Sequence, residues 1–283
     1  MLFGAHESIA GGLHLALERA RADRCRAVQV FTKNASAWAE PTRDGAAVSL
    51  FRSSHAALGR DVVVMAHTSY LLNLAADDGP LLARSKDALV AEVDRCSALG
   101  IAYCVLHPGA HMGAGERAGV ARVAESLAEV LERTRGRRCR VLLENTAGQG
   151  TCVGWRFEHL AEVLGRVGSR RVGVCFDTQH AFAAGYDLRT EHAYESTMAE
   201  LDAVVGLRRV LAVHANDSKR ELGARVDRHE HAGEGWLGAR TFRLLARDPR
   251  FERTPAVIEV APRGPREAPY RGQVGRLARL ASS

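Results

Sequence analysis

The chain alternates from end to end between short apolar runs and longer amphipathic stretches. The stretches, such as GGLHLALERARA and RVAESLAEVLERTR, repeat apolar residues at the three- and four-residue spacing of a helix. The short runs are rich in strand-forming residues. They lie at residues 2–5, 27–31, 62–66, 102–106, 140–144, 172–176, 210–213 and 256–260. The pattern therefore predicts eight strands that alternate with helices.

Strands that alternate with helices form parallel sheets with both faces covered. Eight such units in under 300 residues, without a linker or a break in composition, fit a (β/α)8 barrel in number and size. We therefore predict an α/β fold with a single TIM-barrel domain over residues 1–283. Its active site is expected at the C-terminal mouth of the parallel strands. An open, doubly wound sheet is the alternative fold.

Composition narrows the class of protein. Apolar residues make up 46% of the chain and charged residues 25%, which is typical of a globular domain. No apolar run approaches the ~18–20 residues needed to span a bilayer, and MLFGAHESIAGG lacks the basic segment of a signal peptide. The six cysteines form no CxxC pair, which favours a reducing compartment. We expect a cytoplasmic, monomeric protein without a membrane partner.

Polar side chains stand at the ends of six of the predicted strands. These are His67, His107, Glu144, Asp177, His214 and Glu259. Successive members are 33–45 residues apart, about one βα unit, so they should converge at the mouth of the barrel. His180, Asp227 and His229 follow in nearby loops. Imidazole and carboxylate groups without a thiolate are the ligands of a catalytic zinc or manganese site.

The charges of the nine candidate ligands are compatible with either two or three bound divalent ions. The four carboxylates among these nine candidates would balance two divalent ions. Nine ligands could instead hold three ions, and the surplus positive charge would then attract a hydroxide and a phosphodiester. The second case suits phosphoryl transfer.

Several long motifs resemble the endonuclease IV family of zinc-dependent apurinic/apyrimidinic (AP) endonucleases. They include GAHESIAGG, AHTSYLLNL, LHPGAH, ENTAGQG, GVCFDTQHAFAAGYDLRT, HANDSK and GARVDRHEHAGEGWLG. The resemblance implies a DNA-repair endonuclease that hydrolyses the phosphodiester bond 5′ to an abasic site in duplex DNA. The products would carry 3′-hydroxyl and 5′-deoxyribose phosphate ends.

The resemblance also implies three Zn²⁺ ions per chain, with Mn²⁺ as an alternative at one position. A hydroxide bridging two of the ions would be the nucleophile. Glu144, His107, Asp177 and Glu259 are the catalytic residues that it implies. The three implied ligand sets are His67, His107 and Glu144; then Glu144, Asp177, His214 and Glu259; and finally His180, Asp227 and His229.

The loop after the third predicted strand carries two residues that match positions which, in this family, push into the DNA helix. Tyr70 and Leu71 would fill the space left where the abasic nucleotide is extruded, as apolar wedges do in other DNA-binding proteins. The chain departs from the family at Ser36, two residues before Trp38, where an arginine is usual. The chain therefore lacks one of the side chains that, in this family, probe the DNA helix.

The basic balance of the chain has two explanations. The net charge is +6, and only Lys33, Lys86 and Lys219 are lysines, so arginine supplies nearly all of the 39 basic side chains. Coding bias would produce this composition, and so would selection for phosphate binding. If phosphates are bound, the candidates are the loop residues Lys33, Lys219, Arg225 and Arg228.

Two other functions remain as alternatives. A sugar isomerase or epimerase on the same barrel would use two divalent ions held by Glu144, Asp177, His214 and Glu259. It would leave the other five candidates without a role. A non-catalytic DNA-damage binder with structural zinc is the alternative from another class. A metal count distinguishes the first, and a nicking assay distinguishes the second.

One motif imitates a nucleotide-binding site. GEGWLG at 233–238 matches the dinucleotide fingerprint GxGxxG, but that fingerprint requires a strand directly before it. Polar residues precede it here. We predict a turn that leads into a helix over ARTFRLLAR.

Overall fold

Eight parallel strands close into a barrel in the computed structural model, which describes residues 1–42, 44–77 and 79–282. Parallel pairing of the last strand with the first closes the circle, which excludes the open sheet and confirms the predicted TIM barrel. A short ribbon, β8–β9, pairs separately and antiparallel. The strands are β1 (Leu2–His6), β2 (Ala27–Phe31), β3 (Val63–His67), β4 (Tyr103–Leu106), β5 (Arg140–Glu144), β6 (Val172–Asp177), β7 (Val210–His214), β8 (Asp217–Ser218), β9 (His229–Glu230) and β10 (Pro255–Ile258).

Helices surround the barrel and begin and end at local signals. The carboxylate of Asp44 accepts a hydrogen bond from the backbone of Ala46 at the start of α2, and Thr190 caps α7 in the same way. Gly100 ends α3 in the left-handed conformation. The helices are α1 (Leu13–Ala22), α2 (Gly45–Leu58), α3 (Pro80–Leu99), α4 (Glu116–Arg133), α5 (Phe157–Val167), α6 (Thr178–Ala184), α7 (Glu191–Val204), α8 (Gly238–Arg247) and α9 (Arg271–Ser282).

The barrel interior is filled by one inward-facing apolar side chain from seven of the strands. These are Ala27, Met65, Val105, Leu142, Cys175, Ala212 and Val257. Because side chains alternate along a strand, the residue two positions later also faces inward. In every one of the seven cases that later residue is polar: Gln29, His67, His107, Glu144, Asp177, His214 and Glu259. An apolar floor therefore supports a polar layer at the mouth.

A second, larger core lies between the strands and the helices and includes the fully buried Phe51, Phe157 and Phe176. Strands β1 and β2 pass close to each other at Gly4. A Cβ atom there would lie 1.5 Å from the carbonyl oxygen of Ala27 in β2, so only glycine allows this pair to close.

The last predicted strand is shorter than the sequence pattern indicates. It was expected over 256–260, but β10 ends at Ile258, so Glu259 lies one residue beyond it. The backbone N–H of Glu259 donates to Oδ1 of Asn216 instead of to a neighbouring strand. Within the described residues, no helix is both long and apolar enough to cross a membrane.

Candidate metal centre

The structure brings all nine predicted ligands together at the mouth of the barrel. They form three overlapping groups whose donor atoms lie close enough to share an ion. Several of them line a cavity of about 390 Å³, together with Phe31 and Tyr70. The convergence follows from the alternation described above, because six of the nine end a strand or stand directly after one.

The first group consists of His67, His107 and Glu144. Nε2 of His67 lies 3.2 Å from Oε2 of Glu144, and Nε2 of His107 lies 3.1 Å from the same oxygen. Nδ1 of His67 is 2.8 Å from the carbonyl oxygen of Thr68, to which it can only donate. The lone pair of Nε2 therefore faces the group, as it does in a metal-binding histidine.

The second group consists of Glu144, Asp177, His214 and Glu259. Nδ1 of His214 lies 2.9 Å from Oε1 of Glu144, 3.0 Å from Oε2 of Glu259 and 3.8 Å from Oδ2 of Asp177. Glu144 thus turns one oxygen towards each of two groups. Three carboxylates around one imidazole would repel one another strongly unless positive charge lay between them.

The third group is built from the loop residues. Nε2 of His180 lies 3.3 Å from Oδ2 of Asp227, and Nε2 of His229 lies 3.2 Å from Oδ1 of the same residue. Asp177 stands within ligand distance of both histidines. Both Nε2 atoms are buried, and apart from these carboxylates neither has a hydrogen-bond partner in the described part of the chain. Buried imidazole nitrogens that face only carboxylates fit a bound ion.

Neighbouring histidines lower the pKa values of Glu144, Glu259 and Asp227. Burial by itself would raise the pKa of Glu144, but His214 and His107 outweigh it and hold that pKa well below its usual range. The pKa of Glu259 is likewise well below its usual range, because His214 outweighs burial. Burial also opposes ionisation of Asp227, yet His180 lowers its pKa to about 2. Ionised carboxylates that face buried imidazole nitrogens are a donor set that suits divalent cations.

Three further side chains hold this centre in place, and none of them was predicted from the sequence. Asn216 donates to Oδ2 of Asp177 over 2.7 Å, and Asn145 bonds both backbone groups of the same residue. Gln29, fully buried in β2, contacts His214 and Glu259. Asn145 directly follows the strand-end Glu144 in the ENT motif, and Asn216 stands two residues after the strand-end His214 in the HAN motif, so their positions were a usable signal. For Gln29 the sequence offered no signal beyond the presence of a polar residue inside an apolar run.

The GEGWLG segment is a turn into α8, as predicted. Its backbone N–H groups at positions 233, 235, 237 and 238 donate to the buried carboxylate of Asp217 over 2.8–3.2 Å. The glycines therefore wrap a carboxylate of this chain, where a dinucleotide-binding loop would wrap a phosphate. At Gly235 a Cβ atom would lie 2.3 Å from the carbonyl oxygen of Ser218, which explains the glycine.

Two of the predicted DNA contacts, Tyr70 and Arg228, line the cavity at the mouth. Tyr70 is 66% exposed, and Leu71 beside it is half-buried. Lys219, Arg225 and Arg228 are exposed. The guanidinium of Arg225 stacks 3.9 Å above the ring of Trp155, which fixes its position on the surface.

Lys33 does not lie where a phosphate contact was predicted. Its side chain is buried, and its ammonium group donates to the carbonyl oxygens of Ala37, Trp38 and Ala39. It also pairs with Glu40 over 2.9 Å. All of its donors are engaged inside its own loop, so we assign it to loop structure and no longer to DNA binding.

Comparison with known proteins identifies the relatives of this chain. The family model described as xylose isomerase-like TIM barrel matches residues 17–280. A protein of Chloroflexus aurantiacus named probable endonuclease 4 is 46% identical over 263 residues, which are 93% of this chain and 92% of that protein. The crystal structure of endonuclease IV from Thermus thermophilus superposes with a TM-score of 0.86 at 35% identity, covering 100% of this chain and 98% of its own.

A third comparison concerns the fold alone. The structure of a D-tagatose 3-epimerase-like protein superposes with a TM-score of 0.74 but at only 18% identity, and it covers 100% of this chain and 98% of its own. The barrel is therefore shared with sugar epimerases. A choice between the two chemistries has to rest on the residues at the mouth.

Proposed function

This chain belongs to the endonuclease IV family, and from that premise we propose that it is a DNA-repair endonuclease. It hydrolyses the phosphodiester bond 5′ to an abasic site in duplex DNA. The products carry a 3′-hydroxyl and a 5′-deoxyribose phosphate. We propose a single barrel domain over residues 1–283; the monomeric state and the cytoplasmic location stay predictions.

The observation that carries this proposal is the third group of ligands. An epimerase site with two ions needs only Glu144, Asp177, His214 and Glu259. A two-ion site does not explain why His180, Asp227 and His229 converge beside these four residues, with two buried imidazole nitrogens that face only carboxylates. It also leaves His67 and His107 without a role, although both approach within 3.2 Å of Glu144. A centre for three ions uses every one of these side chains.

We propose Zn²⁺ at all three positions, with Mn²⁺ as an alternative at one of them. The three groups described above would hold one ion each, and Glu144 would serve two of them. Bound zinc supplies a lowered pKa for water and positive charge beside a phosphodiester. The chain contributes no protein nucleophile to this scheme; its ligands would act by placing positive charge at the floor of the cavity.

Other residues of the chain bring the substrate to that floor. Tyr70 and Leu71 would fill the space from which the abasic nucleotide is extruded, because they lie in the loop that follows His67 and Tyr70 lines the cavity. Lys219, Arg225 and Arg228 would contact backbone phosphates and hold the duplex over the mouth. These contacts position the DNA and read no bases.

The test uses one duplex with a single abasic analogue and a matched undamaged duplex. We expect incision of the first only, one cut on the 5′ side of the lesion, and loss of the activity with chelator. Mapping the product ends tests the bond that is cut, and elemental analysis counts the metals. Two ions per chain with no incision would favour a sugar isomerase or epimerase. Three ions with tight binding but no incision would favour a non-catalytic damage binder.

A further inference from the structure

Gln29 is a buried amide beside the second ligand group of the proposed metal site. It is the third residue of β2, fully buried and inward-facing, in the same polar layer as the ligands. A buried amide is costly unless its polar atoms are hydrogen-bonded. Oε1 of Gln29 lies 2.9 Å from Nε2 of His214. Its Nε2 lies 2.6 Å from Oε1 of Glu259 and 3.0 Å from Nδ1 of His6.

The carboxylate of Glu259 determines which way the amide points. A carboxylate oxygen only accepts hydrogen bonds, so the amide atom 2.6 Å away has to be the NH₂ group. With the amide turned the other way, two oxygens would face each other at that distance. The oxygen of Gln29 therefore faces His214, and Nε2 of His214 must carry a hydrogen in order to donate to it.

This fixes the form of His214 that the metal site requires. A neutral imidazole with its hydrogen on Nε2 has its lone pair on Nδ1, the atom 2.9 Å from Glu144 and 3.0 Å from Glu259. Nδ1 of His6 lies 3.0 Å from the amide nitrogen of Gln29 and 3.4 Å from Oε1 of Glu259.

We propose that Gln29 is a positioning residue that sets the tautomer of His214 and orients Glu259, so that both present lone pairs to the second ion. The inference rests on the proposed metal centre. It concerns a residue that would not touch the ion. Partners of this kind change metal affinity by about 10–100-fold when they are removed.

The experiment compares Gln29→Met with Gln29→Glu and with a matched control. Methionine has a similar length but cannot form these hydrogen bonds, whereas glutamate keeps an acceptor for His214 and loses the donor to Glu259. The control is Gln273→Met, because Oε1 of Gln273 lies 3.0 Å from Nδ1 of His231, outside the metal centre. Competition with a chromophoric chelator measures the affinity of each ion, and NMR of ¹⁵N-labelled histidines in the zinc-loaded protein measures the tautomers.

We expect Gln29→Met to weaken the binding of one of the three zinc ions by about 10–100-fold. His214 should then populate both of its neutral tautomers. Gln29→Glu should keep the hydrogen on Nε2 of His214 but should still weaken the binding of that ion. Gln273→Met should change neither the zinc affinities nor the tautomer of His214. Unchanged affinity and tautomer in Gln29→Met would overturn the inference. If Gln29→Met does not fold, a shifted tautomer or full zinc affinity in Gln29→Glu would overturn it. No DNA is involved, so absent incision would count against the proposed function alone.

Discussion

Oε1 of Glu144 lies 2.9 Å from Nδ1 of His214, while Oε2 of the same carboxylate faces the two histidines of the first group. The side chain is fully buried at the end of β5. Its position between two groups means that one carboxylate serves both. Removal of this carboxylate should therefore affect more than one ion.

We predict that Glu144→Ala lowers the zinc content by more than one ion per chain and reduces incision by at least about 1,000-fold, since two ions lose a ligand together. Elemental analysis and an incision assay on an abasic duplex measure the two effects. Glu132→Ala, which removes an exposed carboxylate at the end of α4, is the control and should change neither. A metal-replete Glu144→Ala protein with wild-type turnover would remove Glu144 from the mechanism.

The polar layer of the barrel was predictable from the sequence because strand periodicity fixes it. Once the strands are located, the residue two positions after each inward apolar side chain must also face inward. His67, Glu144 and Asp177 could be placed at the mouth on that basis alone. The eight strands were equally predictable, since their spacing along the chain is that of repeated βα units.

The remaining parts of the site depend on contacts that periodicity does not encode. Lys33 was expected to bind phosphate because it is a cation in a loop, but three carbonyl oxygens of that loop surround its ammonium group. Gln29 follows the strand period, yet its role depends on residues more than 180 positions away in the sequence. Glu259 leaves its strand early because Asn216 binds its backbone.

Stability should depend on pH through Glu7 and Asp23, two carboxyl groups that are each 1% exposed. Burial, together with the neighbouring Asp23 carboxylate, which favours the protonated form of Glu7, raises the pKa of Glu7 to about 9, although Arg19 opposes the shift. The folded chain then keeps a proton that the unfolded chain loses above pH 4.5. The contribution of Glu7 to stability is fully present below pH 4.5 and is lost as the pH rises towards 9.

We therefore predict that Glu7→Gln is more stable than the wild type at pH 8.5, by on the order of 3 kcal/mol, and similar to it at pH 4.5. The neutral amide removes the cost of taking up a proton or burying a charge. Urea unfolding of the zinc-saturated proteins at several pH values measures the difference. Glu18→Gln, at an exposed position of α1, should leave the pH dependence as it is. If the stabilities of Glu7→Gln and the wild type change with pH in the same way, Glu7 does not keep an additional proton in the folded chain.

Binding to an uncleavable abasic duplex should weaken steeply with salt if Lys219 and Arg228 contact phosphates. We expect the log–log slope to become shallower by about 0.9 for each of Lys219→Ala and Arg228→Ala, because each removes one phosphate contact. Fluorescence anisotropy between about 50 and 200 mM salt measures these slopes. Arg135→Ala, at an exposed position after α4, is the control and should not change the slope. A wild-type slope near zero would mean that the excess of arginine reflects coding bias.

The last prediction concerns Tyr70 and Ser36, which lie on adjacent loops. The backbone N–H of Tyr70 donates to the carbonyl oxygen of Ala35 over 3.2 Å, and the ring of Tyr70 packs edge-on against Phe31 at 5.3 Å. Ser36 is exposed but too short to enter the base stack. Tyr70 and Leu71 should therefore carry most of the work of filling the space left by the extruded nucleotide, which costs a few kcal/mol to unstack.

Tyr70→Ala should thus slow incision of an abasic site in a fully paired duplex by about 10–100-fold, and it should have much less effect when the site lies in a bulge, where little stacking opposes extrusion. Tyr70→Phe keeps the ring and should behave like the wild type on both substrates. Adding Ser36→Arg to Tyr70→Ala should restore part of the activity on paired DNA, because a long side chain then enters from the adjacent loop. Incision rates of all four proteins on both substrates measure these effects. Equal losses on paired and bulged DNA would show that Tyr70 supports the metal centre through its contact with His67, 6.0 Å between ring centroids, and that it is not a wedge.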